Sequence, residues 1–331
     1  MVTLKEIAKN SGYSQATVSR LFKGDSSLSI TNETKQKIIH TALSMGYDRS
    51  KIKTTLEKIA VLFWLTEQEE LQDVYFQQLR LSLEKYAQLS NMEIEMIKHE
   101  QDTIQIPDSV SGFVGVGSFT SKELLTLKEK CPNGVLLELN PEPDLFDTVK
   151  PDTDRITRQA IDYFLKKGYK KIGFIGGAFH NPDEDEDESD SREIAFRQYA
   201  KKKGVLNEEY IFSKGKFTVN QGYELTLELI NQLGDDLPDA FFIASDTIAV
   251  GALQAFNERY ISIPDRLEII SVNDTEISKF VSPPLTTFRI DVEEIAKTAI
   301  DMLVDQIVYP RQITKTVLLG SEIIIRKSFQ P

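Results

Sequence analysis

Cysteine is almost missing from this chain: Cys131 is the only one in 331 residues. A lone thiol closes no internal disulfide, so the expected compartment is a reducing one, the cytoplasm. Histidine is nearly as scarce, limited to His40, His99 and His180. None has a partner at metal-ligand or triad spacing, and Cys131 has no histidine near it in sequence. No catalytic, metal or cofactor constellation emerges, and an enzyme is not expected. Gly173-x-x-Gly176-Gly177 is not the Gly-x-Gly-x-x-Gly of a dinucleotide site. No apolar run approaches the roughly 18 residues of a membrane span. The start, Met1-Val2-Thr3-Leu4-Lys5-Glu6, lacks the basic and apolar stretches of a secretion signal, which speaks against a secreted solute-binding protein.

Positive charge is also in short supply, but unevenly. The net charge is −12. Residues 1–58 hold ten Lys/Arg against five Asp/Glu, while the rest hold 29 against 46. A basic head of net +5 on an acidic body of net −17 suits a DNA reader, because only the head is drawn to phosphates.

In the head, Thr3 and Glu6 form a capping box, and Leu4, Ile7 and Ala8 follow at helical spacing. Gly12 ends this helix and Ser14 caps a second that runs to Leu21 or Phe22. Two helices of about seven residues around a three-residue turn make a helix-turn-helix. A third helix starts at the Thr31 cap, buries Ile38, Ile39, Ala42 and Leu43, and ends at Gly46. With Val18 and Leu21 turned toward Ala8, the second helix leaves Gln15, Ala16, Ser19, Arg20 and Lys23 outside. Gln pairs with adenine, Arg with guanine, and Ala touches a thymine methyl. Thr3, Leu4, Ser14 and Thr17 lie at the two helix starts, where hydroxyls and amides meet phosphates.

Beyond residue 59, short apolar runs alternate with helical patterns. Strands are expected at Ile59–Leu65, Met92–Ile97, Gly112–Val116, Val135–Leu139, Lys171–Ile175, Ala240–Ala244 and Leu267–Val272. Helices are expected near 73–89, 121–130, 153–167, 190–203, 219–233, 247–258 and 291–308. Such alternation predicts an α/β fold of parallel sheets flanked by helices. The length suggests two lobes, with ligand at the carboxyl ends of strands. The run Asp183–Asp190, with seven acidic residues, is expected to be a solvated loop or a flap over the ligand.

Thr3-Leu4-Lys5-Glu6-Ile7-Ala8, Gly12-Tyr13-Ser14-Gln15-Ala16-Thr17-Val18-Ser19-Arg20 and Gly46-Tyr47 together resemble the LacI/GalR family head. The resemblance continues through Gly168-Tyr169-x-x-Ile172-Gly173-Phe174-Ile175-Gly176-Gly177, Ser191-Arg192, Ala244-Ser245-Asp246, Ser271-Val272-Asn273-Asp274 and Pro283-Pro284-Leu285-Thr286-Thr287. It implies a helix-turn-helix head (1–47), a hinge (48–58) and a two-lobed periplasmic-binding-protein-like core (59–331). Pro283 to Asp291 would cross back to the first lobe. A repressor is implied, with a near-palindromic double-stranded operator and a small sugar effector between the lobes. A homodimer without a membrane partner completes the expectation.

In the family, a hinge helix of form Asn-x-x-Ala-x-x-Leu wedges a leucine into the minor groove. Here its Asn and Ala are missing. Leu56 either serves as the wedge or opens the first strand, and Arg49, Lys51 and Lys53 are phosphate candidates. The resemblance carries Arg192 onto the sugar-clamping arginine. Asn273 stands where Asp is frequent, and Ser245 where Asn is. Trp64 either stacks on sugar or packs the core, Asp246 and Asp152 either line the site or shape it, and Glu67 is a weaker candidate. Dimer contacts are expected from Phe76, Leu79 and Leu83 and from Ile277–Val281. Trp64-Leu65-Thr66, Glu69-Glu70-Leu71-x-Asp73-Val74-Tyr75-Phe76 and Asn181-Pro182 resemble galactan and galactoside regulators of Gram-positive bacteria, which implies a galactose-containing effector.

Overall fold

A computed structural model describes residues 2–25, 27–55, 57–63, 74–98 and 105–331. Leu56, Trp64 and Glu67 lie outside the described residues. The head contains α1 (Leu4–Ser11), α2 (Gln15–Phe22) and α3 (Asn32–Ser44). Thr3 closes the expected capping box with Glu6, and Gly12 takes the left-handed conformation that ends α1. Ser14 and Thr31 cap α2 and α3 with their hydroxyls. Ile7, Val18, Leu21, Phe22, Ile38, Ile39 and Ala42 form one core. At about 1.5–3 kcal/mol for each large aliphatic removed from water, this packing stabilises three helices too short to persist alone.

Among its described residues the hinge segment forms a single 3-10 turn, Arg49–Lys51, and no α-helix. Ile52 after it is fully buried in the head core.

The core continues with β1 (Glu57–Phe63), α4 (Val74–Leu89), β2 (Met92–Lys98), β3 (Gly112–Val116), α5 (Ser121–Lys130), β4 (Gly134–Leu137) and β5 (Asp147–Pro151). Then come α6 (Thr153–Lys166), β6 (Ile172–Gly176), β7 (Ala178–Asn181), β8 (Glu186–Ser189), α7 (Ser191–Lys203), β9 (Ile211–Ser213), α8 (Val219–Leu233), β10 (Ala240–Ile243), α9 (Asp246–Glu258), β11 (Glu268–Asn273) and β12 (Thr286–Arg289). The chain ends through α10 (Val292–Val308), β13 (Thr316–Leu319) and β14 (Glu322–Ile324).

One six-stranded sheet has the order β13-β5-β4-β3-β1-β2, and a second β14-β12-β11-β10-β6-β9. β1 to β5 pair in parallel, as do β9, β6, β10, β11 and β12, while β14 runs antiparallel to β12. β3, β4, β6 and β10 are buried along their whole length, as strands covered on both faces must be. The described residues of Met1–Leu65, Gln78–Val149 and Glu293–Val317 form one compact unit, which includes the head. Those of Thr66–Gln77, Lys150–Val292 and Leu318–Pro331 form the other.

Three expectations need correction. The acidic run 183–190 is neither loop nor flap alone: its second half is β8, paired antiparallel with β7 in a hairpin. Asp185 takes a left-handed turn conformation there, and His180 and Asp187 face each other across the pair. The segment expected to cross back is strand β12 of the second sheet, and the first unit resumes at Glu293. On α4, Leu79 and Leu83 are fully buried inside their own unit, and Val74, Leu81 and Leu89 are the exposed large apolar residues.

Candidate functional site

The head presents its polar face as the helix pattern dictates. Thr3, Ser14, Gln15, Ala16, Arg20 and Lys23 are exposed, and Leu4, Thr17 and Ser19 half-buried. Ser14 Oγ accepts from the Thr17 amide at 3.0 Å, which fixes the start of α2. Arg20 is oriented before any DNA arrives. Its Nε donates to Asp25 at 2.7 Å and its Nη2 to Ser27 at 2.9 Å. Hydrogen bonds from Ser27 and then Arg20 hold the Asp25 carboxyl down at about 2. A guanidinium fixed at one edge keeps its remaining donors aimed outward, the arrangement a base-edge contact needs.

Lys51 and Lys53 are exposed in the linker, but Arg49 departs from its expected role as a free phosphate contact. Its guanidinium pairs with Glu57, and its Nε donates to the Ser90 carbonyl at 2.8 Å. The cause is local: the 3-10 turn directs Arg49 at the first residue of β1 instead of along a helix surface.

In the second unit, the carboxyl ends of parallel strands β6, β10 and β11 gather most of the other named residues. Arg192, in the first turn of α7, is gripped from two sides. Its Nε and Nη2 donate to the two oxygens of Asp190 at 2.6 and 2.9 Å, and Nη1 donates to the Ala244 carbonyl at 2.8 Å. Burial tends to raise the Asp190 carboxyl, but the Arg192 guanidinium and amide more than offset it and hold it below the usual range. Phe217 lies under the guanidinium, with its ring centroid 4.6 Å away. A Cβ on Gly177 would sit 2.8 Å from that ring, so glycine there lets the aromatic approach the end of β6.

Asp152 caps α6 through the Arg155 amide at 3.0 Å. The next residue, Thr153, meets the Ser191 hydroxyl at 3.1 Å, which brings the starts of α6 and α7 together. Ser245 is buried and caps α9 through the Ile248 amide. Asn273 ends β11 half-buried at φ 113°, a conformation rare for a residue with a side chain. Asp274 behind it is fixed by Arg289 at 2.8 Å and by Arg326.

Asp246 departs from its place among the effector contacts. The side chain is wholly buried, and both carboxylate oxygens are saturated. Oδ1 accepts from Ser271 at 2.5 Å and Thr287 at 2.8 Å, and Oδ2 from the Thr275 amide at 2.7 Å and hydroxyl at 3.0 Å. It ties β10, β11 and β12 together and has no lone pair left for a ligand. Burial pushes its carboxyl up to about 6 against the pull of those donors.

Phe217 is the residue that sequence reasoning missed. The available signal was an aromatic between Gly215 and the Thr218 cap of α8, at a strand end facing the same motifs. Among the described residues, no group of three or more His, Cys, Asp or Glu is placed to hold a metal, and no helix is long and apolar enough to cross a membrane.

Residues 3–50 match bacterial regulatory proteins of the lacI family, and residues 161–329 match a periplasmic binding protein-like domain. The chain is 44% identical over 328 residues to the HTH-type transcriptional regulator GanR of Bacillus subtilis, covering 99% of each protein. It is 39% identical over 337 residues to the HTH-type transcriptional regulator LacR of Lactobacillus helveticus, covering 100% of this chain and 99% of that one. Its fold resembles the lac repressor dimer bound to operator and the anti-inducer ONPF, with a TM-score of 0.69 at 18% identity, covering 99% and 98% of the chains.

Proposed function

Because the chain belongs to the LacI family of bacterial regulatory proteins, we propose that it represses galactoside-utilisation genes and is released from its operator by a galactose-containing sugar. Membership makes it a DNA-binding transcriptional regulator of sugar metabolism and not an enzyme. Its work on DNA assigns it to the cytoplasm. The finer reading rests on the subgroup motifs in the sequence and on one arrangement above all. Arg192 is locked by Asp190 and Ala244 over the Phe217 ring, at the carboxyl end of a parallel sheet.

A sugar offers fixed hydroxyl pairs and an apolar ring face. Arg192 supplies donors in a planar fork, Phe217 an aromatic plate, and Asn273 an amide, while Ser245 borders the same strand ends and Asp152 caps α6, whose first residue bonds Ser191 beside Arg192. Asp246 holds the frame and touches no ligand. Gln15, Ala16, Ser19 and Arg20 read base edges, and Thr3, Leu4, Ser14, Thr17, Lys23 and Lys51 position the head on phosphates and sugars. Two copies place two heads on a near-palindromic operator, since two-fold protein symmetry requires two-fold DNA. The sugar acts only through unequal affinity for the DNA-competent and released states.

Titration calorimetry with galactose, lactose and galactobiose tests the site. Wild-type protein is expected to bind one of them, and Arg192→Ala to weaken that binding by at least roughly a hundredfold, the loss of a charged hydrogen-bonding contact and of the group that seats Phe217. Operator affinity without sugar should stay near wild type. Unchanged sugar binding in Arg192→Ala would contradict the assignment.

A further inference from the structure

The linker is engaged with both the head and the body. The Lys53 amide donates to the Phe22 carbonyl at 2.7 Å, and Lys35 Nζ donates to the Thr55 carbonyl at 2.8 Å. Ile52 fills the head core, which Val308 of α10 also enters. Tyr309 donates its hydroxyl to the Leu43 carbonyl at 3.0 Å. Asn91, at the turn between α4 and β2, donates its amide to the Arg49 carbonyl at 3.1 Å. Every one of these contacts lies within the first compact unit.

Arg49 is the centre of this set. It reaches Glu57 on β1 and the Ser90 carbonyl, and its own carbonyl is held by Asn91. Its Nη1 is buried without a partner among the described residues. An unfilled donor on a buried guanidinium leaves it room to take a further acceptor. A phosphate oxygen is such an acceptor, and Lys51 and Lys53 place positive charge beside it.

We propose that Arg49 latches the head to its own lobe in the DNA-free protein, and that operator phosphate competes with Glu57 for the guanidinium. The latch is an autoinhibitory contact: opening it takes from Glu57 its hydrogen-bonded counter-ion and leaves only the weaker pull of Lys35. Burial already pushes the Glu57 carboxyl above its usual range, with Arg49 and more weakly Lys35 opposing, so the carboxylate is poorly tolerated without Arg49. The linker thus opposes weak, non-specific DNA contacts and yields to an operator that fills every other site on the head.

The test is a double-mutant cycle on operator binding, with a duplex selected from a random library by the wild-type protein. Glu57→Gln keeps the shape and removes the competing charge. It is expected to tighten binding about tenfold and to steepen the slope of log K against log salt by about 0.9, one recovered phosphate contact. In an Arg49→Gln background the same change should alter affinity by less than about twofold, because its target is gone. Asn91→Gly keeps the left-handed backbone at φ 55° and removes the amide; it should tighten binding in the same direction. Amide hydrogen exchange at 49–55 in DNA-free protein should quicken in both single variants. An equal gain from Glu57→Gln with or without Arg49 would overturn the proposal, since Glu57 would then act by general repulsion. Unchanged or weaker binding in both Glu57→Gln and Asn91→Gly would overturn it as well.

Discussion

Asp246 carries a carboxylate into a place water does not reach, with four hydrogen bonds arranged around it. Its folded-state value of about 6 lies above the ordinary 3.8. A raised acid binds more protons folded than unfolded between those values, so its contribution to stability is full below about pH 4 and declines as pH rises through about 6. Relative to Asp246→Asn, wild type should therefore lose roughly 2–3 kcal/mol of unfolding free energy from pH 4 to 7, by linkage at about 1.4 kcal/mol per unit. Denaturant titration at both pH values checks this; a constant difference would show that Asp246 is ionised throughout. Phe217 gives a second prediction at this scale. Phe217→Ala should weaken sugar binding about tenfold or more through loss of the aromatic plate, while Phe217→Trp keeps it. The positions of Arg192, Asp246 and Asn273 were legible because motifs fix the chain at strand ends. Their roles separated only in three dimensions: Asp246 is a buried knot, and burial is a property of the strands around it, not of its own segment.

At the scale of elements, α8, which follows Phe217, and α9, which follows Ser245, pack backbone against backbone. A Cβ on Gly251 would meet the Val219 carbonyl oxygen at 1.9 Å. Gly251→Ala must push the two helices apart. It is expected to destabilise the protein by about 1–3 kcal/mol, the range for overpacking, and to weaken sugar binding as Phe217 shifts. Thermal melting and calorimetry measure the two effects. Elements with strong apolar periodicity, α1 to α3 and the central strands β1, β3, β6, β10 and β11, were legible in the sequence. β5, β9, β13 and β14 were not, because three to five residues of mixed polarity carry no period. β8 was illegible for a different reason: all four of its residues are exposed, so cross-strand pairing with β7, not burial, makes it a strand. The hinge was left open by the sequence. The family pattern suggested a helix, but its Asn and Ala are absent and the segment takes a 3-10 turn with Ile52 drawn into the head.

For the whole molecule, the proposed dimer needs exposed apolar side chains on which a second copy can dock. Phe280 is 77% exposed, and Ile277 beside it 46%. On the first unit, Leu81 and Leu89 are exposed along α4. Phe280→Asp should convert the dimer to monomer in analytical ultracentrifugation and weaken operator binding by at least roughly a hundredfold, as the second head's contribution is lost. A dimer that persists would move the interface elsewhere. The central claim concerns coupling: a sugar held at Arg192 and Phe217 changes how tightly the heads hold DNA. Fluorescence anisotropy of a labelled operator at fixed salt, with and without galactose, lactose and galactobiose, tests it most directly. Release by one of these sugars in wild type, and by none in Arg192→Ala at equal operator affinity, is the predicted result. Tight binding indifferent to all three would contradict the account of a galactoside-responsive repressor.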